Sequence, residues 1–165
     1  MTKQILDFFS GLPEEFVVII LSFLPISELR GAIPVGIGVY QLGIAKTVLL
    51  SILGNFSFVL PFLWFLNNLH KKFMQIRWYN KFFSWWYKKV KSRAENIEKY
   101  EYLGLAIFVG IPLPVTGAWS GCVASYLLGL NPWKSAIAIF VGIIIACIIV
   151  TASTIATTGV INVIR

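Results

Sequence analysis

Charged residues are missing from two long stretches of this 165-residue sequence. None occurs between residues 47 and 66, and none occurs between residues 135 and 164. Only 13% of the chain is charged, whereas soluble domains carry roughly 25%. A helix of about 20 apolar residues crosses a hydrocarbon core of roughly 30 Å. The sequence therefore predicts an all-α integral membrane protein with spans over residues 45–66 and 134–157.

Cysteine and histidine are also scarce, which argues against disulfide frameworks and metal sites. Cys122 and Cys147 lie in apolar segments without ligand spacing, as small buried hydrophobes do. His70 has no companion ligand and is expected to mark the membrane edge. The sequence contains no recognisable pair of nucleophile and base. We therefore expect no metal, no cofactor and no enzymatic activity.

The positive charge is concentrated in one segment. The formal net charge is +7, and nine of the fourteen Lys and Arg residues lie between Lys71 and Lys99. A basic patch can bind nucleic acid, but in a membrane protein the positive-inside rule favours a cytoplasmic connector. We therefore expect no nucleic-acid partner. The prediction is a multi-pass protein of the cell inner (cytoplasmic) membrane, with residues 67–101 on its cytoplasmic side.

Aromatic residues alternate with these charges. Trp78, Phe82 and either Trp85 or Trp86 recur at helical spacing among Lys and Arg residues that can extend outward to water. The pattern predicts an amphipathic helix at the membrane interface. The alternative is a soluble amphipathic connector packed on the rest of the protein.

Two proline-bearing breaks interrupt the apolar segments. "LPISELRGAIP" at residues 24–34 holds an acid and a base, and "IPLPVTG" at residues 111–117 is the second break. A shift of 86 residues aligns Gly31 with Gly117 and Tyr40 with Tyr126. Each break is followed by an apolar half-helix and a long span. The order indicates an internal repeat.

Each arm that flanks a break covers about half of the hydrocarbon core. Residues 14–44 and 102–130 are therefore either re-entrant hairpins or kinked full spans. Irregular backbone is tolerated at membrane depth only inside the protein or beside a wet cavity, which favours hairpins. The predicted fold is two inverted repeats, each a re-entrant helical hairpin followed by a transmembrane helix. Repeat 1 covers residues 1–66, the basic connector residues 67–101, and repeat 2 residues 102–165.

The two breaks carry a family resemblance. "ELRGAIP" (28–34) and "PLPVTGAWSG" (112–121) resemble the signature pair of the small multidrug export family, which is similar to the DedA, or VTT-domain, superfamily. The resemblance implies two facing re-entrant hairpins and a transport role, and for DedA proteins the recycling of undecaprenyl phosphate by proton motive force. Val115 departs from the Gly of the usual motif. The second hairpin also lacks the basic residues of the DedA pattern.

The candidate site combines both breaks. An ionisable group at mid-membrane normally faces the protein interior and has a partner. Arg30 is predicted to bind an anionic head group and Glu28 to carry the coupling proton. The second arms begin near the hairpin tips, so their N–H groups point to the midplane. The other predicted substrate contacts are Gly31, Thr116, Gly117, Trp119 and Ser120.

Structural interpretations stand beside these roles. Glu28 and Arg30 are two residues apart and cannot share a helical face, but in an irregular loop they can form a purely structural salt bridge. Ser27 and Thr116 are also candidate N-caps. Gly117-x-x-x-Gly121 has the spacing for close helix packing.

The leading functional hypothesis is a DedA-like, proton-coupled secondary carrier or flippase for an anionic amphiphile such as undecaprenyl phosphate. The alternatives are a small multidrug export protein for lipophilic cations and a non-transporting accessory or assembly factor. The expected partners are membrane lipids and the amphiphilic substrate. A homodimer that covers the hairpin flanks is a further expectation.

Overall fold

A computed structural model of the protein describes residues 11–113 and 116–164, with side chains for all of these except residues 71, 91–100 and 158–164. This described part of the chain is helical and contains no strand. The all-α class predicted from the sequence is therefore confirmed. Residues 1–10 of the predicted first repeat, and Val115 with its departure from the family motif, lie outside the described residues.

The first break separates two short helices. Helix α1 covers Glu14–Phe23 and helix α2 covers Glu28–Pro34. Leu24 is extended, with ψ of 136°, because a following proline disfavours the helical conformation. Pro34 has no N–H to donate to the carbonyl of Arg30. The chain then continues as a π-helical turn over Val35–Val39, where the Tyr40 N–H donates to the Val35 carbonyl at 3.0 Å.

The first long apolar helix is formed by α3 (Ile44–Ser57) and α4 (Val59–Asn68). The two meet at Phe58, because Pro61 lacks the N–H that would bond to the Ser57 carbonyl. Together they cover 25 residues, Ile44–Asn68, and are long and apolar enough to cross a membrane. This helix agrees with the predicted span over residues 45–66.

The basic segment is also helical. Helix α5 covers His70–Phe73, and helix α6 covers Arg77–Gly110 with a kink at Glu101. The kink lies where the connector was predicted to end. The aromatic side chains of Trp78, Phe82 and Trp85 are exposed, and the Lys89 ammonium lies 4.2 Å from the centre of the Trp85 ring.

The second break leads into helix α7 (Ala118–Leu127), which is followed by helix α8 (Pro132–Ile164). The part of α8 from Pro132 to Thr157 is the second helix of the described chain that is long and apolar enough to cross a membrane. It agrees with the predicted span over residues 134–157. The described residues thus contain the two predicted candidate membrane helices.

The chain divides into two compact units. Residues 1–55 and 150–165 form unit 1, and residues 56–149 form unit 2. In unit 1, α1 packs against α2 around a core that contains Val17, Val18, Leu21 and Ala32. In unit 2, α6 packs against α7, and α7 also packs against α4.

Glycines permit the closest helix contacts in unit 2. A Cβ at Gly142 would lie 2.7 Å from the carbonyl oxygen of Ala106. A Cβ at Gly121 would lie 2.5 Å from Val109 Cγ2 and 3.4 Å from Ile139 Cγ1. The packing role predicted for the Gly-x-x-x-Gly spacing is therefore observed at its second glycine.

Candidate functional site

Glu28 is a buried acid with an unusual backbone. It is 7% exposed and begins α2. Its φ of +46° lies in the left-handed region, which residues with a side chain rarely adopt. The Glu28 N–H still donates to the Leu24 carbonyl at 3.0 Å. Strained backbone of this kind persists only where the surrounding structure imposes it, and it concentrates at functional sites.

Arg30 lies half-buried two residues further along the chain. Burial of the Arg30 guanidinium disfavours its positive charge, and the negative charge of Glu28 offsets part of that cost. The first break was predicted to be irregular, but residues 28–34 are helical. The left-handed conformation of Glu28 nevertheless departs from a regular helix at its first residue. The acid and the base thus interact electrostatically within unit 1.

Ser27 holds the turn between α1 and α2. Its hydroxyl donates a hydrogen bond to the Leu21 carbonyl, six residues earlier. Ser27 occupies the N-cap position of α2, as the sequence predicted, but its side chain makes no cap bond to that helix. A Cβ at Gly31 would lie 2.7 Å from the Ser27 Cβ. Gly31 thus leaves room for the serine that ties the turn to the preceding helix.

Thr116 organises the second break. Its hydroxyl lies 2.7 Å from the carbonyl oxygens of Ile111 and Leu113, and it accepts the Leu113 N–H at 3.1 Å. Gly117, not Thr116, occupies the N-cap position of α7, and α7 has no side-chain cap bond. The N-cap prediction for Thr116 is therefore wrong. Its hydroxyl bonds back to the loop instead. Gly117 has φ of +136°, a conformation that favours glycine.

The remaining predicted contacts lie at the start of α7. The Trp119 ring stacks on Phe58, with centroids 4.1 Å apart and an interplanar angle of 16°. It also packs against Phe62 at 4.7 Å. Ser120 is 5% exposed, and its hydroxyl accepts the indole N–H of Trp86 at 3.4 Å. These side chains already have partners within unit 2.

The seven predicted site residues fall into two groups. Glu28, Arg30 and Gly31 lie together in unit 1. The other group lies together in unit 2 and consists of Thr116, Gly117, Trp119 and Ser120. Sequence reasoning did not identify Trp86 as a neighbour of this second group. Its place in a row of aromatic residues was the only signal, because the contact joins residues 34 positions apart.

His70 lies in an aromatic cluster of unit 2. Its Nδ1 lies 2.8 Å from the Tyr79 hydroxyl, and its ring centre lies 4.0 Å from that of Phe83 and 5.1 Å from that of Tyr126. Burial lowers the pKa of His70 from its ordinary value of 6.5. Among the described side chains, no group of three or more His, Cys, Asp or Glu residues is placed to hold a metal ion.

Comparison with known proteins identifies the family. Residues 28–149 match the model of a family described as "Putative small multi-drug export protein". The match begins at Glu28, within the first break, and covers the second break, the basic connector and most of the second apolar helix. No curated protein and no solved structure matches the chain. With its two membrane-length apolar helices, this chain belongs to the small multidrug export family of membrane proteins.

Proposed function

We propose that the chain is a proton-coupled secondary carrier or flippase for an amphiphile with an anionic head group, such as undecaprenyl phosphate. The observation that carries this proposal is the pairing of Glu28 with Arg30. A buried acid with left-handed backbone stabilises the charge of an arginine inside an apolar unit. Ionisable groups at membrane depth are expensive and usually serve a substrate or proton pathway.

The first part of the proposal is that residues 14–44 form a re-entrant hairpin. Lys46 Nζ lies 2.7 Å from Glu15 Oε1, so the residue just past the hairpin is tied to its start. The arms have 10 residues (Glu14–Phe23) and 12 residues (Glu28–Val39, seven plus five). At 1.5 Å per residue they are about 15 and 18 Å long, roughly half of a hydrocarbon core.

The position of the hairpin tip gives further support. Ser22, one residue before the end of α1, lies against Gly54. Gly54 is ten residues along α3 from its start at Ile44, which corresponds to about 15 Å. In this proposal Glu28 and Arg30 reach the middle of the membrane. A second hairpin over residues 102–130, entering from the opposite side, would complete an inverted pair.

The chemistry follows from the two charges. A guanidinium binds a phosphate through two parallel N–H···O bonds. While Glu28 is ionised, its carboxylate competes with the substrate for Arg30. Protonation of Glu28 removes that competition and frees the guanidinium for the anionic head group. Proton and anion would therefore move together. In this scheme the chain performs no chemical conversion and is not an enzyme.

The membrane location and the oligomeric state of the chain are also part of the proposal. The basic connector places residues 67–101 at the cytoplasmic face of the inner membrane, because positive segments remain on that side. The exposed rings of Trp78, Phe82 and Trp85 suit the head-group depth of the bilayer. A homodimer is proposed as the assembly that covers the hairpin flanks.

A second candidate function is the efflux of lipophilic cations, and the family description is the observation that favours it. Export of a cation needs a membrane-embedded carboxylate that is available to the substrate. In unit 1 the buried carboxylate of Glu28 acts on Arg30, and the positive charge of Arg30 repels a cationic substrate. The anionic substrate is therefore the better fit.

The test is reconstitution of purified protein in liposomes that contain undecaprenyl phosphate, with and without a pH gradient. We expect gradient-dependent translocation by the wild type, and its loss in both Arg30→Ala and Glu28→Gln. Glu14→Gln is the matched control, since Glu14 is an exposed acid of the same unit. Translocation that continues unchanged in Glu28→Gln would refute the coupling role of this acid.

A further inference from the structure

A row of polar side chains is buried on one face of α3. Thr47, Ser51 and Asn55 recur at every fourth residue, and they are 0%, 0% and 1% exposed. Residues with this spacing lie one above another on a helix. The Oγ1, Oγ and Oδ1 atoms of these side chains have no hydrogen-bond partner within the described part of the chain. We call these three residues the polar row.

The absence of partners within the described chain is unusual for such residue types. A serine or threonine in a helix can satisfy itself by bonding to a carbonyl of the preceding turn. Ser22 does so with the Ile19 carbonyl at 2.9 Å, and Thr154 with the Val150 carbonyl at 2.8 Å. The hydroxyls of Thr47 and Ser51 instead remain unpaired in a tightly packed interface. Buried polar atoms of this kind require an explanation.

The first hairpin covers the polar row through glycines. A Cβ at Gly36 would lie 3.1 Å from Thr47 Oγ1 and 3.1 Å from Val18 Cγ2. A Cβ at Gly54, the neighbour of Asn55, would overlap Ser22 Oγ and lie 2.7 Å from the Ile19 carbonyl oxygen. Contacts made by glycine bring surfaces together without interlocking side chains, so these surfaces can part and close again.

We propose that α3 and the first hairpin separate during the transport cycle, and that the polar row then lines the hydrated path of the anionic head group. This inference rests on the proposed carrier function. Serine and threonine hydroxyls and the asparagine amide all have N–H or O–H groups to donate to phosphate oxygens. Over eight residues the row covers about 12 Å of helix.

The polar row extends from the start of α3 to the level of the hairpin tip. It starts beside Lys46 and ends beside Gly54, which packs against Ser22 near the hairpin tip. The path therefore leads from the mouth of the hairpin toward the break that holds Glu28 and Arg30. In the packed structure the oxygen atoms of the row have no hydrogen-bond partner among the described residues. In the open conformation the two hydroxyls could donate to the head group, and water could donate to Asn55 Oδ1.

The test is the labelling of an engineered cysteine by a membrane-impermeant methanethiosulfonate in proteoliposomes. The background carries Cys122→Ala and Cys147→Ala. Ser51→Cys is compared with Leu49→Cys and Leu53→Cys, which occupy the same depth on the exposed, lipid-facing side of α3. We expect Ser51→Cys to react roughly tenfold or more faster, because the thiolate that forms in water is the nucleophile. Equal rates at all three positions would overturn the proposal.

A reversible lock tests the opening itself. In Gly36→Cys/Thr47→Cys, oxidation joins the hairpin to α3, and labelling of an added Ser51→Cys should cease until the disulfide is reduced. Labelling that continues in the oxidised protein contradicts separation at this interface. The labelling does not depend on a translocation assay. Labelling without translocation leaves the opening intact and rejects the carrier function, whereas translocation without labelling rejects the polar row as the path.

Discussion

Replacing Thr47 by valine should make the protein more stable, contrary to the usual effect of a substitution at a fully buried site. Valine has nearly the shape of threonine and puts a methyl group in place of the hydroxyl. In the packed structure Thr47 is 0% exposed, and its hydroxyl has no hydrogen-bond partner among the described residues. The substitution therefore removes an unsatisfied polar atom without leaving a cavity.

The expected size of the effect follows from the cost of such an atom. A buried donor or acceptor without a partner costs about 1 to 3 kcal/mol. We therefore expect the free energy of unfolding of Thr47→Val to rise by roughly this amount. The same change should slow translocation, because it favours the packed conformation over the open one.

Thr154→Val provides the matched control. Thr154 is also a buried threonine of unit 1, but its hydroxyl donates to the Val150 carbonyl at 2.8 Å. Loss of a hydrogen bond in a membrane protein costs about 0.6 kcal/mol on average, so this variant should be slightly less stable. Unfolding by SDS in mixed micelles compares both variants with the wild type. If Thr47→Val loses stability as Thr154→Val does, the hydroxyl of Thr47 has a partner and the argument fails.

Three further predictions concern unit 2 and its packing. Gly142→Ala should lower the free energy of unfolding by about 1 to 3 kcal/mol through overpacking, because its Cβ would meet the Ala106 carbonyl oxygen. Gly38→Ala is the control, since its Cβ would have no atom within 4 Å, and it should leave unfolding by SDS unchanged. Burial lowers the pKa of His70, so the fold favours the neutral histidine. This contribution to stability is present above pH 6.5 and is lost as the pH falls below that value. Below pH 6.5 the thermal midpoint of the wild type should therefore decline more steeply than that of His70→Gln. Trp119→Ala should lower the free energy of unfolding by about 3 to 5 kcal/mol. Trp119→Phe keeps a ring on Phe58 and should lose much less stability. Equal losses in the two variants would show that the stack contributes little.

The membrane helices could be predicted from the sequence because they depend on composition alone. High mean hydropathy with few charges over a sufficient length is all that a candidate span requires, and the helices from Ile44 and from Pro132 satisfy it. The proline breaks were visible for a similar reason, since proline excludes backbone conformations locally. Family membership followed from short motifs that begin at Glu28.

Side-chain partners could not be predicted in the same way. The sequence suggested that Ser27 and Thr116 cap helices, but their hydroxyls bond to carbonyls of the preceding segment because the turns are tight enough to reach them. The bond from Trp86 to Ser120 joins positions far apart in sequence. The left-handed conformation of Glu28 depends on the packing of the whole turn and has no local sequence signal.

The polar row lies between these cases. Its spacing of four residues is visible in the sequence, but the sequence does not show whether these polar groups have hydrogen-bond partners. Serine and threonine are common in membrane helices because they can bond to their own backbone. Only the structure reveals that Thr47 and Ser51 do not do so.

The most direct test of the central claim is to offer both kinds of substrate to the same proteoliposomes under the same pH gradient. Translocation of undecaprenyl phosphate and uptake of the lipophilic cation ethidium are measured side by side for the wild type and Arg30→Ala. An anion carrier predicts translocation of the lipid phosphate that requires Arg30, and no accumulation of ethidium. Ethidium accumulation without lipid translocation would contradict the claim and establish the chain as a cation exporter.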